Sequence, residues 1–74
     1  MKKLKEFLDS TLKTAEGYNS LTIRSGFFHQ AFGAVSYFCW ANWETNPEAE
    51  KLAMELWNND YVEKFSELMK NAEQ

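Results

Sequence analysis

Two side chains able to do chemistry near neutral pH, His29 and Cys39, stand in a stretch from Ser25 to Trp43 that holds no Asp, Glu, Lys or Arg. An imidazole among aromatic rings could contact a ligand or move a proton, and a thiol could act as a nucleophile. Neither has the partners that such work needs. A reactive thiol wants an electropositive, accessible setting, and no Lys or Arg lies near Cys39 in the chain. On a helical wheel of about 100° per residue, His29 sits roughly 80° away from Cys39 and ten residues back. Cys39 therefore reads as a small hydrophobe between Phe28, Phe32 and Trp43. His29, one turn from Gly33 and near Ser36 and Trp40, has no carboxylate at fixed spacing and reads as a packed or interface histidine.

The remaining candidates thin out in the same way. The segment Gly26 to Gly33 has neither the lysine nor the spacing of a phosphate-binding loop. No cluster of Cys, His or closely spaced carboxylates supplies four metal ligands, and a single cysteine allows no intrachain disulfide. Glu48, Glu50, Glu55, Glu63 and Glu67 fall on solvated helix faces. With no set of nucleophile, base and orienting group in view, the expectation is a protein that is not an enzyme, with no catalytic residue, metal or cofactor.

The elements that carry these residues are helical. Leu4, Phe7, Leu8, Leu12 and Ala15 recur at steps of three and four, which predicts an amphipathic helix from about residue 2 to 16. Gly17 fits the left-handed position just past its end. Ser20 or Ser25 could cap a second, long helix, read here as starting near Ser20 and running over about 20–45, with a short extended piece at Leu21 to Arg24 as the competing reading. Asn46-Pro47 ends that helix and Thr45 to Glu48 reads as a capping box for a third, about 46–58. Ala49, Leu52, Ala53, Leu56 and Trp57 share one stripe, whereas Tyr61, Val62, Phe65, Leu68 and Met69 centre roughly 150° away. One straight helix cannot aim both at one core. A break at Asn58-Asn59-Asp60, with Asp60 as N-cap, would start a fourth helix over about 60–71. The expected fold is all-α: a single domain over residues 1–74, a small bundle of four helices around a long second one.

Composition narrows the function classes. Seventy-four residues make a marginal core for a chain acting alone. The formal charge is −3, with five basic against three acidic residues over 1–24 and eight acidic against three basic over 44–74. An acidic chain without a basic stripe is a poor match for nucleic acid. Ser25 to Trp43 has the length of a membrane span, but Ser25, Gly26, His29, Gln30, Ser36 and Asn42 interrupt it and a soluble reading is preferred. Met1-Lys2-Lys3 is not followed by the apolar run of a signal peptide, and one cysteine suits a reducing compartment, so the cytoplasm is the expected location.

What remains is surplus surface. The apolar arc of the second helix covers about half its circumference. The other half carries Gly26, His29, Gly33, Tyr37 and Trp40, with almost no charge. Three short companion helices have too little surface to hide both sides. The reading is a small protein–protein interaction module, an adaptor, regulator or inhibitor, that pairs as a homodimer through Gly26, His29, Gly33, Tyr37 and Trp40 and also meets another protein. The alternative is a pocket for a small apolar or aromatic ligand on the same helix, lined by His29, Tyr37 and Trp40.

Overall fold

In the computed structural model, which describes residues 1–73, the chain is all-helical. Helix α1 is Lys2–Glu16, α2 is Leu21–Asn42, α3 is Pro47–Leu56 and α4 is Val62–Lys70. A five-residue π turn, Trp57–Tyr61, joins α3 to α4 without interruption. The architecture is thus three helical rods rather than the four expected. Helix α2 touches α1, α3 and α4, and α1 also touches α4.

The π turn replaces the expected break, and its cause lies in the spacing of the buried residues. Ala53, Trp57, Tyr61 and Phe65 are each four apart, and all are buried. On an ideal α-helix three such steps drift by about 120°. In the π turn the Val62 N–H donates to the Trp57 carbonyl, five residues back instead of four. One extra residue in the turn returns about 100° of that drift. All four side chains then face one core, and Asp60 stays exposed in mid-helix instead of capping a new one.

That core consists of Leu4, Leu8 and Ala15 from α1, Ala31 and Val35 from α2, and the four residues of the third rod. Its centre is aromatic: Trp57 lies 5.7 Å from Phe28, 5.9 Å from Phe32 and 5.9 Å from Phe65, centroid to centroid.

Helix ends are secured by side chains, not all of them the ones expected. The Ser20 hydroxyl accepts from the Ile23 N–H at 3.4 Å and caps α2. At α3 the cap is Asn46, accepting from the Ala49 N–H at 3.2 Å, rather than Thr45. Pro47 follows as the first helical residue, where it loses no hydrogen bond. Gly17 does not enter the left-handed region; its φ is −74°. The last carbonyls of α1 are collected without that reversal: the Gly17 and Tyr18 N–H groups donate to Thr14 at 3.0 Å and Ala15 at 3.2 Å, and Arg24 supplies the further donors.

Arg24 is buried. Its Nε donates to the carbonyls of Tyr18 at 2.6 Å and Ala15 at 3.2 Å, its Nη2 to Glu16 at 3.3 Å and its Nη1 to Leu68 at 2.8 Å. One planar fork thereby ties the end of α1, the following loop and α4 to the first turn of α2. The chain end closes over the same place: the Leu21 N–H donates to the Glu73 carbonyl at 2.8 Å, and the Glu73 N–H to Asn19 Oδ1 at 3.2 Å.

At mid-length, α1 and the π turn are joined by Lys5, Asp9 and Tyr61. The phenol of Tyr61 donates to Asp9, and Lys5 Nζ reaches the same phenol oxygen at 3.2 Å and Asp9 at 3.3 Å. The Tyr61 hydrogen bond, and after it Lys5, holds the Asp9 carboxyl below its usual range. Burial, and then Asp9, pushes the Tyr61 phenol up.

Two expectations follow. Arg24→Met and Arg24→Lys should each lower unfolding stability by about 3 kcal/mol in urea titrations, since either strands buried carbonyls that a five-donor fork satisfied. For the second, a depressed carboxyl stabilises the fold above its unfolded pKa and loses that contribution as pH falls through the folded value. A raised phenol contributes below its unfolded pKa and loses that as pH rises through the folded value. The deficit of Tyr61→Phe relative to the native chain should therefore be greatest between about pH 5 and 9 and shrink toward about pH 3 and pH 11, read as urea midpoints.

Candidate functional site

The buried side of α2 is marked by Arg24, Ala31 and Val35. At about 100° per residue these centre near one direction of the helix, and the opposite direction falls on Gly33, flanked by Gly26 and Trp40. All five residues singled out from the sequence, Gly26, His29, Gly33, Tyr37 and Trp40, are exposed. They lie on one continuous outer face because the seven-residue steps from 26 to 33 to 40 nearly close on two helical turns.

Each has a definite setting. Tyr37 and Trp40 are both 69% exposed, and their rings lean on one another at 6.0 Å and 40°. His29 Nδ1 donates to the Ser25 carbonyl at 2.7 Å. That hydrogen bond ties the imidazole to its own helix, one turn back. A Cβ placed on Gly26 or Gly33 would meet nothing within 4 Å. The glycines thus answer no packing need of the lone chain, although each weakens the helix relative to alanine.

The Cys39 thiol points at the Glu50 carbonyl at 3.8 Å, and burial, with the charge of Glu50 second, pushes its pKa up. A thiol so placed is a poorer nucleophile than a free one. Among the described residues no group of three or more His, Cys, Asp or Glu could hold a metal ion. None of the helices in the described residues is long and apolar enough to cross a membrane.

The structure also corrects the expected extent of the core. Ile23, Phe32 and Trp43 belong by wheel position to the inward arc, yet they are 41%, 46% and 56% exposed. Phe32 lies at the seam with the third rod, against Trp57. Trp43 falls past the last residue of α2, in the turn before Pro47, where no neighbouring rod reaches over it. The exposed apolar belt is therefore wider than the five residues read from the sequence.

A groove of about 540 Å³ runs between the start of α1 and the end of α2, with Met1, Leu4, Phe7, Ala34, Tyr37 and Phe38 in its lining. It takes Tyr37 from the expected pocket but not His29 or Trp40, so those three do not converge on one cavity. The groove was not foreseeable from α2 alone, because its other wall is the N-terminal turn of α1.

Since a methyl group at either site meets no neighbour, Gly26→Ala and Gly33→Ala should each raise the unfolding stability of the lone chain by about 1 kcal/mol, measured by urea denaturation. Compared with family models, curated proteins and solved structures, the chain has no match in any of the three.

Proposed function

We propose that this is a non-enzymatic interaction module that self-associates through the outer face of α2, and that as a pair it serves as an adaptor, regulator or inhibitor of another protein in the cytoplasm. The observation that carries the reading is the state of Tyr37 and Trp40. Two large rings, each 69% exposed, stand on a face with no charged residue between Ser25 and Trp43. Tyr and Trp bury large areas while keeping a polar handle, which is why they anchor interfaces. Scattered apolar residues on a surface need no explanation, but a contiguous belt does. Here Tyr37 and Trp40 pack ring to ring at 6.0 Å, with exposed Ile23 on one flank of the face and Phe32 and Trp43 on the other.

A second reading has its own observation. The groove at Met1, Phe7 and Tyr37 is apolar, and Lys2 and Lys3 stand at its rim. It suits a small apolar or aromatic ligand. Native mass spectrometry of freshly purified protein separates the two: a retained small molecule favours the groove, and a constant dimer mass without one favours the pair.

Trp40→Asp tests the first reading directly. It places a carboxylate at the aromatic end of the face without touching the buried core. Sedimentation at micromolar concentration should find the native chain as a dimer, twice 8.7 kDa, and the variant as a monomer with unchanged helix content. A native chain that sediments as a monomer at every concentration would overturn the reading.

A further inference from the structure

The arrangement of large and small residues on the outer face of α2 carries information about how two copies would meet. Gly26, Gly33 and Trp40 are spaced by seven residues, so Gly33 lies about 10.5 Å from each of the others along the axis. The face is unequal about that midpoint, bare backbone on one side and an indole on the other.

We propose that the second copy docks antiparallel, with the two-fold axis beside Gly33, so that Trp40 of each protomer rests on Gly26 of its partner. This rests on the self-association reading above and adds its geometry. An antiparallel two-fold exchanges residues equidistant from the axis, and an isologous interface must be complementary to itself. Large then meets small at both ends, and Gly33 meets Gly33 at the centre, where open space over both glycines permits close helix approach. A parallel pair would instead put Trp40 on Trp40 and glycine on glycine. The indoles would hold the helices apart at one end and leave a void at the other, which costs contact area and packing. The near-seven-residue repeat of the face suits a shallow crossing of about 20°.

Charge selects the same arrangement. The face itself has none, and the first acid beyond it is Glu44, just past the end of α2. In a parallel pair Glu44 would sit beside Glu44. In the antiparallel pair it lies level with Thr22 of its partner and about 33 Å along the axis from the partner's Glu44. Area sets a limit: the outer side of α2, 22 residues long and about 33 Å by 10 Å, presents roughly 330 Å² per copy, so the pair is a small interface beside the ~800 Å² per partner of standard stable complexes.

The experiment measures distance between spin labels in the full chain. A Cys39→Ala background receives one cysteine at Thr22, which is exposed on the same face near the start of α2. Thr22 is eleven residues from Gly33, so two labels in an antiparallel dimer lie about 33 Å apart along the axis. In a parallel dimer they lie about 10 Å apart. Mixing chains labelled at Thr22 with chains labelled at Glu44 should add a short separation in the antiparallel case only. The expected result is a dimer mass by sedimentation with the long distance for Thr22 alone and a short one in the mixture. A dimer with Thr22 labels within about 15 Å of each other overturns the antiparallel register and leaves self-association standing. A monomer overturns both, and the face then belongs to a different protein. Sedimentation and helix content of the labelled chains, compared with the native chain, identify any variant whose fold or pairing the label itself has altered, and Glu44 labelled alone repeats the distance test at the other end of the helix.

Discussion

The guanidinium of Arg24 is buried among backbone carbonyls, with no ion pair to a carboxylate among the described residues, and the ends of two helices depend on that placement. A helix leaves its last carbonyls without intrahelical donors, and their partial charges add to a negative pole. Helices α1 and α4 both end beside the first turn of α2, so two negative poles converge on one small volume. A cation there is favourable, and only a planar fork with several donors can reach Ala15, Glu16, Tyr18 and Leu68 together. The geometry of the bundle follows. With its end bound to the start of α2, α1 runs back along it, and the third rod must return to the same end for Leu68 to take part.

This explains how a chain with a single cysteine, and so no intrachain disulfide, can hold three rods in register. A small core supplies little stability beyond its entropy cost. Here the apolar centre around Trp57 and Phe65 lies between two polar fastenings, Arg24 at one end and Lys5, Asp9 and Tyr61 at mid-length. Both link positions far apart in sequence, and both satisfy groups that burial would otherwise penalise.

How far the fold was legible follows from what periodicity can and cannot encode. The stripe of Leu4, Leu8 and Ala15 located α1, and Ser20 and Pro47 marked the starts of α2 and α3, because each is a local preference of the backbone or of one side chain. The phase change after Trp57 was legible as well. Its solution was not, since a break and a π turn both reconcile two stripes, and only the need to keep 53, 57, 61 and 65 on one line selects the second. Arg24 gave no local sign. Its partners are carbonyls, identical at every residue, and nothing in the sequence says which carbonyls will lack a donor. Gly17 was misjudged as well, because the left-handed ending it suits became unnecessary once the Gly17 and Tyr18 N–H groups and a distant side chain together capped α1. On the site face, the absence of charge from Ser25 to Trp43 was plain from the residues, whereas the exposure of Phe32 and Trp43 depends on where the third rod stops.

The same economy accounts for the outer face of α2. Surrounding a 22-residue helix completely takes about six companions of its own length, as cylinders of equal width pack. Helix α1 and the rod of α3 and α4 supply two. The lone chain therefore leaves one long side of α2 open whatever its residues are, and ordinary surface chemistry would place Lys and Glu there. Residues 25–43 carry none. Gly26 and Gly33 weaken the helix from within, and Tyr37 and Trp40 expose rings to water. Each choice disfavours the isolated molecule, and the costs accumulate on one face instead of being spread around the domain. A surface that is expensive in isolation gains from being covered, and the covering surface must be long, narrow, uncharged and indented where this one protrudes. The side of α2 itself, turned end for end, meets that description.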